Sequence, residues 1–190
     1  MEGIDDSKVG AWLEANVPGF EAPYQYELIT GGHSNLTFAC IDNSGSRVVL
    51  RRPPLGYVLE SAHDMGREHK IISALESSSV PVPNTYGLCS DSEVNGASFY
   101  VMDFIHGVVL NDSTFSVAIQ DSDRPALGEH VINILCDLHA VDIDAVGLGD
   151  LGRKEAYLAR QLNRWSKQWV ASKTHEIPAM DASPLRNASN

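Results

Sequence analysis

Residues 29–54 read ITGGHSNLTFACIDNSGSRVVLRRPP, and this stretch decides the fold prediction. Two turn-forming clusters, GGHSN and NSGS, separate short segments that are rich in β-forming residues. Short apolar segments divided by Gly- and Asn-containing turns are typical of antiparallel hairpins. Pro53 and Pro54 end the last segment, because proline cannot donate a hydrogen bond to a neighbouring strand. We therefore predict strands over residues 24–30, 36–42 and 47–52.

Helices and two further strands are predicted around this stretch. Apolar residues at helical spacing predict helices over 5–16, 60–77, 126–140 and 153–172. Runs of β-forming residues predict strands over 85–90 and 97–104, joined by the turn EVNG. All the predicted strands thus lie before residue 105, and after it only helices are predicted. This order predicts an α+β fold, in which a lobe with a five-stranded antiparallel sheet and a helix is followed by a helical lobe.

The predicted organisation has three parts. A small lobe covers residues 1–105, a connector with a partial helical lobe covers 106–175, and a poorly ordered tail covers 176–190. Apolar faces of the helices after residue 125 exceed what those helices can bury against one another. Large exposed apolar surfaces favour association, so a homodimer is also predicted.

Charge and composition exclude several classes of partner. The chain has 14 Lys+Arg against 25 Asp+Glu, for a net charge of −11. Such acidity disfavours binding to duplex nucleic acid or to anionic membranes. No apolar run approaches the roughly 20 residues that span a bilayer. Three scattered cysteines fit no disulfide framework, so we expect a reducing, cytoplasmic setting.

The Gly-rich turn is the first candidate for chemistry. Residues 30–35 read TGGHSN and lie between two predicted strands. Glycine lets backbone N–H groups approach a phosphate closely, and Ser34 and Asn35 add side-chain donors. Taken alone, a plain hairpin turn is the commoner explanation of such a segment.

Two charged residues and one apolar strand end are the other candidates. Strand alternation places Val49 and Arg51 on one face of a strand. The guanidinium of Arg51 can bind phosphate oxygens there, and Val49 can pack against the flat ring of a ligand. Glu68, on the following helix, can pair with Arg51. The run FYVMDFIHG (99–107) leaves the sheet and offers backbone groups that can read an adenine edge. The structural alternatives are an edge-strand arginine in solvent, a solvated glutamate and a buried strand that ends in a turn.

The histidine and acidic residues of the helix predicted over 60–77 do not predict a metal site. His63, Asp64, Glu68 and His69 lie close in sequence. However, His63 and His69 are six residues apart and point to different faces of a helix, unlike the spacing of metal-binding helices.

At the residue level, the chain resembles the aminoglycoside-phosphotransferase-like (choline-kinase-like) kinase superfamily. The resemblance is greatest to the branch that also occurs fused to acyl-CoA dehydrogenases, and it implies a protein-kinase-like small lobe that binds a nucleotide. It extends from about residue 28 to residue 169 and rests on the stretches ITGGHSNLTF, VVLRRPP, AHDMGREHKIISAL, VPVPNTYGLCSD, FYVMDFIHG, LHAVD and RQLNRWSKQW.

The resemblance implies a role for each candidate residue. Arg51 would contact the α- and β-phosphates in a place usually held by lysine, and Glu68 would be its ion-pair partner. Asp103 would offer its carbonyl, and Ile105 its N–H, to the adenine. The loop over the phosphates and the remaining contacts with the base would come from Gly31, Gly32, His33, Ser34, Asn35, Val49, Met102 and Phe104.

One part of the family pattern is missing. The family has a catalytic loop HGDxxxxN and a later metal-binding Asp, but here the only HG, His106-Gly107, is followed by Val108. No such loop occurs before Asn190. We therefore expect no catalytic or metal-binding residue in this chain, which would be inactive alone. The complete enzyme would use ATP or GTP with Mg²⁺ and a small hydroxyl-bearing substrate.

Two other functions stay open at this point. The first is a non-catalytic module that binds nucleotide or a protein partner, which the missing catalytic loop favours. The second is an α+β domain of unrelated function, because a fold alone does not fix a function.

Overall fold

The computed structural model describes residues 1–29, 35–56, 63–110, 117, 119–153 and 155–181. Two compact units, Met1–Leu148 and Gly149–Asn190, divide the chain. The lobe boundaries expected near residues 105 and 175 stay predictions.

Five strands form one antiparallel sheet in the order β1-β2-β3-β5-β4. This sheet confirms the sequence-based prediction of an α+β fold with a five-stranded antiparallel sheet. The strands are β1 (Gln25–Leu28), β2 (Leu36–Ile41), β3 (Arg47–Arg52), β4 (Thr85–Cys89) and β5 (Phe99–Asp103).

Among the described residues, four helices accompany the sheet in the first unit, and helices make up the regular structure of the second. The first unit has α1 (Asp6–Asn16), α2 (Met65–Leu75), α3 (Ser92–Asn95) and α4 (Arg124–Ala140). The second unit has α5 (Tyr157–Ser172) and α6 (Pro178–Asp181).

One face of the sheet forms the main hydrophobic core. In the register of the strands, Phe38 lies opposite Leu50, and Leu50 lies opposite Val101. These side chains are buried together with Val9 and Leu13 of α1. Because side chains alternate along a strand, the intervening residues face the opposite side of the sheet. That opposite side carries the candidate site.

Helix α2 is shorter than the predicted 60–77. It begins at Met65, because the carboxylate of Asp64 accepts a hydrogen bond from the N–H of Arg67 at 2.9 Å and caps the helix. It ends at Leu75, where the N–H of Glu76 bonds to the carbonyl of Ser73 and tightens the last turn. Residues 57–62 lie outside the described residues.

Two segments predicted as irregular are helical instead. The predicted turn EVNG lies largely in α3, whose first turn is capped by Asp91 and which ends at Gly96 with φ +70°. Pro178–Asp181, within the predicted disordered tail, forms α6. Proline suits a first helical turn because its missing N–H has no partner there. Residues 182–190 lie outside the described residues.

The longer helices expose much apolar surface. No residue of α4 or α5 is buried, and Val131 and Ile132 of α4 are 55% and 57% exposed. Self-association through these faces stays a prediction. Among the described residues, no helix combines the length and the apolar character needed to cross a bilayer.

Candidate functional site

Arg51 and Glu68 form an ion pair on the face of the sheet opposite the main core. Nε of Arg51 donates to Oε2 of Glu68 at 2.8 Å, and Nη1 of Arg51 donates to the hydroxyl of Thr37 at 2.9 Å. The two charged side chains are 29% and 33% exposed. The contact predicted between Arg51 and Glu68 is therefore present, whereas its role in phosphate binding stays a prediction.

Glu68 also accepts hydrogen bonds from two other elements. The side-chain amide of Asn35 donates to Oε1 at 2.8 Å, and the hydroxyl of Tyr100 donates to Oε2 at 3.2 Å. Burial, followed by the charge of Glu68, raises the pKa of Tyr100, while the charge of Arg51 opposes this rise. The hydroxyl of Tyr100 therefore stays protonated and remains a donor to Glu68.

Sequence reasoning missed Thr37 and Tyr100. The strand register places Arg51 opposite Thr37 on one side and opposite Tyr100 on the other. Directly opposite residues on neighbouring strands point to the same face. Knowledge that β3 pairs with both β2 and β5 would have placed Thr37 and Tyr100 beside Arg51. The pairing of β3 with β5 cannot be predicted from local sequence.

An apolar patch lies beside the ion pair on the same face. Val49 lies opposite Ala39 on β2 and opposite Met102 on β5, two residues along the strand from Arg51. Val49 is buried and Met102 is half-buried. The structure thus brings Val49, Met102 and Arg51 to one face of the sheet. A ligand with a flat ring and an anionic group needs this combination of apolar and cationic side chains.

Side-chain contacts fix the end of β5. The carboxylate of Asp103 accepts hydrogen bonds from the Tyr86 hydroxyl and from the Asn84 side-chain amide, both at 2.6 Å. The N–H of Asp103 donates to the carbonyl of Asn84 at 2.9 Å. These contacts join β5 to β4 and the segment before it, and they hold the backbone where the predicted adenine contacts begin.

The residues after β5 are open to solvent or contact charged and aromatic groups. Ile105 is 67% exposed. The Phe104 ring lies 5.6 Å from the guanidinium carbon of Arg47 and 5.0 Å from the His106 ring. An accessible backbone next to a half-buried ring can accept a flat heterocycle, but this use of Phe104 and Ile105 stays a prediction.

The contact between Tyr86 and Asp103 predicts a change in stability at high pH. The hydrogen bond to Asp103, followed by burial, raises the pKa of Tyr86 to about 12, above its usual value of about 10. The folded state therefore keeps this proton between pH 10 and 12, where the unfolded state loses it. The contribution of this proton to the free energy of unfolding is therefore fully present below about pH 10 and is lost as the pH rises towards 12.

Tyr86→Phe is expected to reduce the fall in the free energy of unfolding above pH 10, and Asp103→Asn is expected to do the same by removing the carboxylate charge. Urea denaturation at several pH values measures this slope. Slopes equal to that of the unsubstituted chain would contradict the assigned cause.

Two further expectations from the sequence concern the Gly-rich turn and the histidine and acidic residues near α2. Gly31, Gly32, His33 and Ser34 lie outside the described residues. In the described ranges, no group of three or more His, Cys, Asp or Glu side chains could hold a metal ion. Burial lowers the pKa of His69, whose ring lies 6.0 Å from the Tyr100 ring.

Comparison with known proteins gives a family and several named relatives, two of which follow. The phosphotransferase enzyme family matches residues 25–187. Acyl-CoA dehydrogenase family member 10 of Mus musculus is 37% identical over 150 residues, which are 79% of this chain and 14% of that protein. Acyl-CoA dehydrogenase family member 11 of Homo sapiens is 33% identical over 181 residues, which are 93% of this chain and 23% of that protein. The chain therefore spans less than a quarter of either relative.

A solved structure has the same fold. It is a Ralstonia eutropha protein assigned as an aminoglycoside phosphotransferase, with 35% identity and a TM-score of 0.78. The match covers 94% of this chain and 51% of that protein. Family match, named relatives and solved structure all agree with the resemblance found in the sequence, and we conclude that the chain belongs to the phosphotransferase enzyme family.

Proposed function

We propose that this chain binds ATP or GTP and supplies the nucleotide-binding part of a small-molecule phosphotransferase. The observation that carries the proposal is the orientation of Arg51. Its contacts with Glu68 and Thr37 use two of the five N–H groups of the guanidinium. The other donors can meet phosphate oxygens, which a planar guanidinium binds in pairs.

The base of the nucleotide would lie on the apolar patch formed by Val49 and Met102. This patch is on the same face as Arg51, so one nucleotide can contact both. The carbonyl of Asp103 and the N–H of Ile105 would hydrogen-bond to the edge of the base, with Phe104 between them. Backbone groups of this kind can read adenine or guanine, so both ATP and GTP are proposed as ligands.

Phosphoryl transfer relies on positioning and on the neutralisation of phosphate charge. Arg51 would supply positive charge at the phosphates, and Gly31, Gly32, His33, Ser34 and the backbone N–H of Asn35 would supply donors above them. The family uses Mg²⁺, but the described residues contain no set of side chains that fits a metal ion.

The acceptor would be a small molecule with a hydroxyl group, bound by the complete protein. The motif HGDxxxxN does not occur in the sequence, so the proposal gives this chain nucleotide binding without the transfer step. The resemblance to proteins fused to acyl-CoA dehydrogenases favours a hydroxylated metabolite or an acyl thioester over an aminoglycoside as the acceptor.

Calorimetric titration of ATP and GTP into the 190-residue chain tests the proposal. We expect saturable binding of one nucleotide per chain, weakened by salt because phosphate contacts are electrostatic. Adenosine serves as the matched control, since it keeps the base but cannot contact Arg51. No saturable binding of either triphosphate, or equal affinity for adenosine and ATP, would contradict the proposal.

A further inference from the structure

Asn35 connects the start of β2 to the carboxylate of Glu68. It is 7% exposed, one of four buried polar or charged residues among those described. Its Nδ2 donates to Oε1 of Glu68 at 2.8 Å, and its Oδ1 lies 2.6 Å from Nδ1 of His63. An amide oxygen only accepts hydrogen bonds, so Nδ1 of His63 is the donor in this contact.

The contact with Asn35 fixes the rotation of the Glu68 carboxylate. The terminal torsion of a glutamate is broad and has no sharp preferred value. Because Asn35 holds Oε1, the other oxygen faces Arg51 and Tyr100 and accepts a hydrogen bond from each. The direction of the guanidinium therefore depends on Asn35 through Glu68, to which both side chains are hydrogen-bonded.

The sequence position of Asn35 adds a second connection. It directly follows residues 30–34, which hold the glycines proposed to lie over the phosphates. Its side chain is bonded at both ends, to Glu68 and to His63. One residue thus joins the end of the Gly-rich segment to the residue that orients Arg51.

We propose that Asn35 is a positioning residue that holds the Arg51–Glu68 pair in its phosphate-binding orientation. This inference rests on the proposed nucleotide-binding function. The requirement is for a neutral group that donates to Oε1 of Glu68 and accepts from His63. Among side chains of this size, asparagine meets it at all pH values, and a protonated aspartic acid meets it only at low pH.

Asn35→Asp tests the inference because it preserves size and replaces the neutral amide donor with an ionisable carboxyl group. The charged and titratable groups that face the site are Glu68, His63 and His69 of the α2 region, Arg51 of β3 and Tyr100 of β5. At pH 8 the new carboxylate cannot donate, and it repels Glu68. At pH 5 the pair of carboxyl groups shares a proton more readily, since two neighbouring carboxylates raise the pKa of one of them.

ATP affinity is measured by calorimetry for the variant and for the unsubstituted chain at both pH values. The quantity compared is the ratio of the two dissociation constants at each pH, because protonation of ATP affects both proteins equally and cancels in this ratio. We expect the variant to bind ATP about thirtyfold more weakly at pH 8, the loss of about one charge-assisted hydrogen bond. The ratio should recover to about threefold at pH 5. The Asn35→Ala variant has no group to protonate at this position, so its affinity for ATP should stay low at both pH values.

The outcomes separate this inference from the function on which it rests. A ratio that is the same at both pH values for Asn35→Asp overturns the positioning role and leaves the nucleotide proposal intact. Recovery at low pH by Asn35→Ala as well also overturns it. If the unsubstituted chain binds no nucleotide, the proposed function fails, and the role of Asn35 in it fails too.

Discussion

Replacing Arg51 by methionine is expected to abolish most of the affinity for ATP. Arg51 lies beside Glu68, Thr37 and the Val49–Met102 patch. A charge-assisted hydrogen bond contributes about 1.5–3 kcal/mol, and a guanidinium can make two of them with phosphate. The dissociation constant for ATP should therefore rise by on the order of a hundredfold or more. Calorimetry measures this change.

Two further variants show which property of Arg51 matters. Arg51→Lys keeps the charge but loses the planar pair of donors, so a smaller loss of affinity is expected. Arg67→Met removes one positive charge from an exposed position on α2, next in sequence to Glu68. It should leave the affinity within about twofold, because exposed charges are screened. Equal losses for Arg51→Met and Arg67→Met would show that only net charge matters and would contradict the site.

Replacing Phe99 by alanine is expected to have the largest effect on stability. Phe99 is fully buried on β5, and its ring contacts the Trp12 ring of α1 at a centroid distance of 5.1 Å. Removing a buried phenylalanine side chain costs about 3–5 kcal/mol, which includes the cavity that is left. Whole domains are stable by only about 5–15 kcal/mol. Urea denaturation should therefore show loss of a large share of the free energy of unfolding.

Val109→Ala is the matched control for Phe99→Ala. Val109 is 74% exposed, so its methyl groups contribute little burial, and the free energy of unfolding should change by less than about 0.5 kcal/mol. Comparable losses from the two variants would contradict the placement of Phe99 in the core between the sheet and α1.

Much of the small lobe could be predicted from local sequence. Turn clusters such as NSGS and the Pro53-Pro54 pair bound β3 correctly at 47–52, because turn and strand preferences depend on neighbouring residues. Helix ends were less predictable. The N-terminus of α2 depends on the capping contact of Asp64 with Arg67, and apolar spacing carries no information about that contact.

The candidate site was predictable only in part. Alternation along β3 places Val49 and Arg51 on one face, and the family resemblance pairs Arg51 with Glu68. Thr37 and Tyr100 could not be predicted in the same way. Their contribution depends on the order of the strands, in which β5 is next to β3, and residues far apart in sequence meet there.

The amino-acid sequence by itself determined the five strands, the longer helices, the acidic charge and the family of this protein, because these follow from local propensity, composition and short motifs. Only the tertiary structure decided that Asn35, Arg51 and Tyr100 converge on the carboxylate of Glu68. Hydrogen bonds require their partners within about 3 Å. Such proximity between residues up to 65 positions apart arises from the packing of α2 against the sheet and from its strand register, which no local pattern encodes.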